Sequence, residues 1–91
     1  MTTSQQQPAA TRPELGSFVD ANGIGTNYLE AGAGSPVVLV HGSGPGVSAY
    51  ANWRLTITDL ATEHRVLAPD MAGFGFSDKP GVYSMERWVH Q

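Results

Sequence analysis

Cysteine is absent from the 91 residues, which excludes a disulfide framework and any thiolate metal site. Charge is scarce as well. Asp, Glu, Lys and Arg make up 14% of the chain, against about 25% in ordinary soluble domains. A small domain standing alone shows most of its surface to water, so this composition suits the inner portion of something larger. Five basic residues against eight acidic ones give a net charge of −3. No basic patch results, which argues against nucleic acid as a partner. No apolar run approaches the ~20 residues that span a bilayer, so no membrane partner is expected. Met1–Pro13 (MTTSQQQPAATRP) has almost no charge and no apolar periodicity, and it reads as a disordered tail. It also lacks the basic start and apolar run of a secretory signal. With no cysteine and no such signal, the expected compartment is the cytoplasm.

Glycine and proline are plentiful, at 11 and 6, and they punctuate the rest. Ser17–Asp20 and Ile24–Ala31 carry strand-type residues on either side of Ala21-Asn22-Gly23. Asn-Gly between two such runs predicts a β-hairpin, because both residues tolerate positive φ. Gly32–Pro36 then breaks the chain. Val37-Val38-Leu39-Val40 follows without alternation, the pattern of a strand buried on both faces of a parallel sheet. A helix is predicted from Ser48–Tyr50 onward, with Trp53, Ile57, Leu60 and Ala61 on one face. His64–Asp70 is a second short apolar strand closed by Pro69 and Asp70. Strand, helix and strand in this spacing make a βαβ unit with parallel strands. Met71–Val82 is a Gly-rich loop, and Ser84 caps a further helix with Glu86 in its first turn. Two strands of this kind need helices on both faces, and one complete helix is present. Residues 14–91 therefore read as the N-terminal portion of a larger α/β domain.

The segment VVLVHGSGPGVSAYANW concentrates the chemistry. A strand opens into glycines, which let backbone N–H groups approach a ligand. Such a loop cradles phosphate at a helix N-terminus, or offers an N–H to a developing oxyanion. The bland reading is a tight strand-to-helix turn. Gly44-Pro45-Gly46-Val47-Ser48-Ala49 matches the G-x-G-x-x-A dinucleotide fingerprint, and Asp70 stands where that motif has its acidic residue. Against it, Pro45 removes a donor, Gly42 and Ser43 lengthen the turn, and a hairpin precedes the first parallel strand. No G-x-x-x-x-G-K-[ST] exists, which excludes a P-loop.

The remaining polar residues are ambiguous singly. His41 at a strand end is a general base or, more simply, a loop anchor bonded to backbone. Asp70 ends a strand where ligands bind in open α/β sheets, but its short side chain beside glycines suits a cap on backbone N–H groups. His64 reads as solvated, and Trp53 as core. Ser77, Asp78 and His90 fall in the order Ser, Asp, His, yet residues adjacent on one turn cannot converge as a triad. No G-x-S-x-G nucleophile elbow is present.

His41-Gly42 directly after a strand, followed by a Gly-rich run, resembles the oxyanion loop of α/β-hydrolases. The resemblance extends to His41–Gly46, Ala51-Asn52-Trp53-Arg54, Ala68-Pro69-Asp70-Met71 and Gly73-Phe74-Gly75. Together these resemble the meta-cleavage product hydrolases, and most of all the branch that acts on 2-hydroxymuconic semialdehyde and alkyl-ketone relatives. The likeness runs from about Gly23 to Gln91. It implies an α/β-hydrolase fold of which this chain is the first part, truncated before the nucleophile. It implies a serine-dependent hydrolysis of a carbon–carbon bond in 2-hydroxy-6-oxo-dienoates formed by ring-opening of catechols. The enol tautomerises to a ketone, the C6 carbonyl is attacked and the dienolate leaves. The resemblance assigns the backbone N–H of Ser43 as one oxyanion donor. It places substrate contacts at Gly42, Ser43, Gly44 and Asn52, with Asn52 near the 2-hydroxy end. It implies a small dienoate as partner, no cofactor and no metal, and leaves self-association of the full-length protein open. The second donor, the nucleophile and its Asp and His partners have no counterpart in this chain. Another hydrolase, such as an esterase, stays open, as does a dinucleotide-binding domain.

Overall fold

The computed structural model describes residues 13–91; the expected tail, apart from Pro13, lies outside them. Strand β1 (Ser17–Ala21) and strand β2 (Ile24–Ala31) pair antiparallel, with Ala21 opposite Ile24. The turn is the two residues Asn22 and Gly23, at φ 54° and 86°, the left-handed pair that suits the twist of a hairpin. The Asp20 carboxylate accepts the Gly23 N–H at 2.6 Å, and the Asn22 amide donates to the His90 carbonyl at 2.6 Å. The sequence pattern ended β1 at Asp20, and pairing extends it by one residue. A Cβ on Gly23 would meet nothing within 4 Å, so Gly23→Ala carries backbone strain and no clash. The expected cost is about 1–2 kcal/mol, read as a lower midpoint in urea unfolding of the complete protein.

Strand β3 (Ser35–Val38) departs from the expected Val37–Val40. It starts two residues earlier, through Pro36, and its last cross-strand bond runs from the Leu39 N–H to the Leu67 carbonyl at 2.9 Å. Pro36 is the second residue of β3, and proline is tolerated near the start of a strand, where a missing N–H interrupts little of the ladder. The strand order is β1-β2-β4-β3. Among the described residues β3 pairs with β4 alone, and Val38 is 59% exposed and Val40 55%. The parallel pairing is as expected, with Val37 opposite Val66 and Val38 opposite Leu67 on strand β4 (His64–Pro69). Strand β4 sits between β3 and β2 and pairs antiparallel with the latter.

Helix α1 (Ala49–Leu60) crosses from β3 to β4. The Ser48 hydroxyl accepts the Ala51 N–H at 3.1 Å, supplying one of the helix's orphan donors with a partner. Trp53, Ile57, Leu60 and Ala61 are all half-buried, as the helical spacing requires. Among the described residues the buried apolar ones are Ile24, Ala49, Val66, Ala68 and Ala72. Among the described residues Val19, Tyr28, Val38 and Leu67 line a groove of about 300 Å³ on the sheet. Helix α2 (Met85–His90) begins at Ser84, whose hydroxyl accepts the Arg87 N–H at 3.1 Å. The Trp88 indole donates to the Ala72 carbonyl at 3.0 Å and ties this helix to the loop after β4.

Candidate active site

The segment from His41 to Ser48 leaves the carboxyl end of β3 and enters α1. Its two ends are held by consecutive residues at the exit of β4. At the start of the segment, the buried imidazole of His41 accepts the Met71 N–H on Nε2 at 2.9 Å. A backbone N–H can only donate, so Nε2 carries no proton and Nδ1 does. Nδ1 lies 2.5 Å from the Gly42 carbonyl oxygen and donates to it. Phe74 packs edge-on against the ring at a centroid distance of 5.1 Å. Both ring nitrogens are thus committed to backbone. His41 is an anchor, and no lone pair is left for a general base.

At the far end of the segment, the Asp70 carboxylate accepts the Ala49 N–H at 2.8 Å. Asp70 is 1% exposed. Its second oxygen accepts from the Asn27 amide at 2.8 Å and from the Phe76 N–H at 3.0 Å. Its main chain joins in: the N–H donates to the Asn27 carbonyl, and the carbonyl accepts from the Ser77 hydroxyl and the Gln91 amide. Buried charge is tolerated only when its oxygens are satisfied, and here three donors converge on them. The cap reading of Asp70 is the one the structure shows. Asn27 went unnoticed in the sequence. It is fully buried on β2, donates to the Glu14 carbonyl and accepts the Gly16 N–H. Its sequence signal was Thr26-Asn27, two successive polar residues in a strand, which must face opposite sides.

Between the anchors the segment is open. Gly42 and Ser43 are exposed, and their N–H groups meet no protein acceptor among the described residues. Ser43 stands at the lip of a cleft of about 260 Å³ that Val40, His41, Met71, Phe74 and Trp88 also line. The walls are largely apolar, so a hydrogen-bond donor there interacts strongly with developing charge. Gly44 follows, half-buried, at φ 146°. Asn52 is not brought into this cleft. It is exposed in the first turns of α1, and its amide makes no hydrogen bond among the described residues.

The other candidates separate. The Ser77 hydroxyl accepts the Asn27 N–H at 2.9 Å and donates to Asp70. Asp78 accepts the Gly25 N–H at 2.8 Å, and His90 is exposed at the end of α2. They form no triad. His64 is half-buried, and its Nδ1 is shielded from solvent with no partner among the described residues, which corrects its reading as solvated. Among the described residues no His, Asp and Glu gather in threes around a metal-sized space. The dinucleotide reading also fails on geometry. The Asp70 carboxylate already occupies the first N–H of α1, where a pyrophosphate would sit, and would repel it.

A parallel β3-α1-β4 unit preceded by a hairpin, with a Gly-rich loop presenting free N–H groups beside an apolar cleft, defines an α/β-hydrolase half-site. The chain belongs to the family described as alpha/beta hydrolase fold, whose model matches residues 35–91. It is 58% identical over 78 residues to the 2-hydroxy-6-oxo-2,4-heptadienoate hydrolase of Pseudomonas putida F1, covering 84% of this chain and 28% of that protein. It is 52% identical over 79 residues to the 2-hydroxymuconate semialdehyde hydrolase of Pseudomonas sp. CF600, covering 85% and 28%. Its structure resembles that of the meta-cleavage product hydrolase CumD from Pseudomonas fluorescens IP01, with a TM-score of 0.83 and 57% identity over 87% of this chain and 30% of that one. The chain thus spans under a third of the length of these relatives.

Proposed function

We propose that the complete protein carrying this chain is a meta-cleavage product hydrolase. It takes a 2-hydroxy-6-oxo-dienoate and water, and releases a 2-hydroxydienoate and a carboxylic acid. The observation that carries this reading is the free Ser43 N–H at the mouth of an apolar cleft, in a loop anchored at both ends. The likeness to dienoate hydrolases over more than four-fifths of the chain supports the substrate class.

In this mechanism the substrate reaches its keto form, and the C6 carbonyl lies with its oxygen on the Ser43 N–H. Attack at C6 puts negative charge on that oxygen, and the N–H stabilises it more than it stabilised the carbonyl. The C5–C6 bond then breaks with the dienolate as leaving group, and water hydrolyses the acyl group that remains. The nucleophile, its histidine and its acid come from sequence beyond these residues, where the family has them. Gly42 and Gly44 bring backbone close to the substrate. The compartment this reading implies is the cytoplasm; no helix among the described residues is long and apolar enough to cross a membrane.

Asn52 holds the oxygenated end of the dienoate. Its support is an exposed, unengaged amide a few residues beyond the oxyanion loop, and an amide can donate to an enolate or accept from an enol. Losing a hydrogen bond to a charged group costs about 1.5–3 kcal/mol, or roughly 10- to 150-fold. Asn52→Ala in the complete enzyme is expected to slow dienoate cleavage by that factor. It should leave hydrolysis of a p-nitrophenyl ester, which lacks that end, nearly unchanged. Equal losses on both substrates would assign Asn52 to the fold. No loss on either would make it an ordinary surface residue. An enzyme that turned over the ester and never the dienoate would favour the esterase reading.

A further inference from the structure

We infer that His41 is a positioning residue that sets the direction of the Ser43 N–H through the single peptide plane linking Gly42 to Ser43. This rests on Ser43 being an oxyanion donor. The Gly42 carbonyl and the Ser43 N–H belong to one planar trans peptide, so they point to opposite sides of the chain. His41 Nδ1–H holds that carbonyl, and the N–H of the same plane is therefore turned away from the imidazole. The ring itself cannot rotate, because its Nε2 is fixed by the Met71 N–H and its face by Phe74. Rotation of this peptide changes ψ of Gly42 and φ of Ser43, and the Gly42 side offers little resistance. Gly42 has no side chain, and a Cβ placed there would touch nothing within 4 Å. Glycine is conformationally permissive, so without His41 the plane can swing out of line, drawing the Ser43 N–H from the oxyanion and bringing the Gly42 carbonyl nearer to it. A negative end in that position destabilises the transition state it should stabilise.

The two ring contacts have different consequences, and amide side chains separate them. Asn places its amide nitrogen near the position of Nδ1 and can hold the Gly42 carbonyl, but it falls short of Met71. Gln reaches the position of Nε2 and can accept the Met71 N–H, but it leaves the Gly42 carbonyl free. Each replacement keeps one hydrogen bond and loses one, so their effects on thermal stability are similar. In the complete enzyme, His41→Gln is expected to lower kcat by about 10²-fold, the scale of a small misplacement. KM stays within about twofold, because the donor acts on the transition state. His41→Asn retains kcat within about tenfold of the parent.

The decisive measurement combines His41→Gln with Ser43→Pro, which deletes the donor. If His41 works through that N–H, the Gln change costs less than about threefold in kcat once the donor is gone. The same hundredfold loss in both backgrounds would overturn the inference and leave the oxyanion assignment standing. So would an Asn variant as impaired as the Gln variant. If Ser43→Pro alone left kcat within about threefold of the parent, the oxyanion assignment would fall, and this inference with it.

Discussion

Replacing Ser43 with proline in the complete enzyme is expected to lower kcat by about 10²–10³, the usual penalty for one lost oxyanion donor. Ser43→Ala keeps the N–H and is expected to cost little, because the side chain is exposed and makes no hydrogen bond among the described residues. The pair separates backbone from side chain at one position. Proline also restricts the residue before it, so circular dichroism and a thermal melt must first show a native fold. Gly42 has no Cβ, and that residue adapts more readily than any other. The check is kcat and KM for both variants on a dienoate and on an activated ester, since both reactions pass through an oxyanion. Should Ser43→Ala prove as damaging as Ser43→Pro, the hydroxyl would be the active group and the backbone assignment would be wrong.

Asp70→Ala is expected to be the most destabilising single change in this segment. It strands three donors in a buried place: the Ala49 N–H, the Asn27 amide and the Phe76 N–H. Each unsatisfied buried group costs about 1–3 kcal/mol. Water entering the vacated space offsets part of this, so the net loss is about 3–5 kcal/mol. Whole proteins of ordinary stability have about 5–15 kcal/mol in hand. The variant is therefore expected to accumulate largely as insoluble material, and the soluble part to unfold at much lower urea. Gly75→Ala attacks the same place from the other side. Its backbone is at φ 53°, and a Cβ there would overlap the Asp70 carboxylate. The two substitutions should resemble each other in soluble yield and urea midpoint. A wild-type midpoint for Asp70→Ala would show that the apolar contacts alone hold β2, β4 and α1 together.

Among the described residues that polar cluster makes up much of what is fully buried. Val66, Asn27 and Asp70 are the largest side chains there with under 2% of their surface exposed. This is why hydrophobic patterning alone described the segment incompletely. The hairpin was legible because Asn22-Gly23 demands a particular backbone wherever it occurs. Helix α1 was legible because Ser48 marks its start and its apolar residues share one face. The parallel pairing of β3 with β4 followed from the helix between them. The start of β3 was not legible, because Pro36 reads as a breaker, yet it stands only at the second residue of the strand. The anchoring role of His41 was visible in outline from its place at a strand end. Its partners, the Met71 N–H and the Gly42 carbonyl, required the fold. The cleft brings Ser43 to its lip and leaves Asn52 on the exposed side of α1, so only the first of these two candidates gains geometric support.

The central claim is that this loop serves carbon–carbon hydrolysis of a 6-oxo-dienoate. Its most direct test is to incubate the complete enzyme with 2-hydroxy-6-oxohepta-2,4-dienoate in ¹⁸O-labelled water and analyse the products. The claim predicts loss of the dienoate with release of acetate and 2-hydroxypenta-2,4-dienoate in equal amounts, the label appearing in the acetate carboxylate. An intact dienoate beside rapid hydrolysis of a simple ester would contradict it.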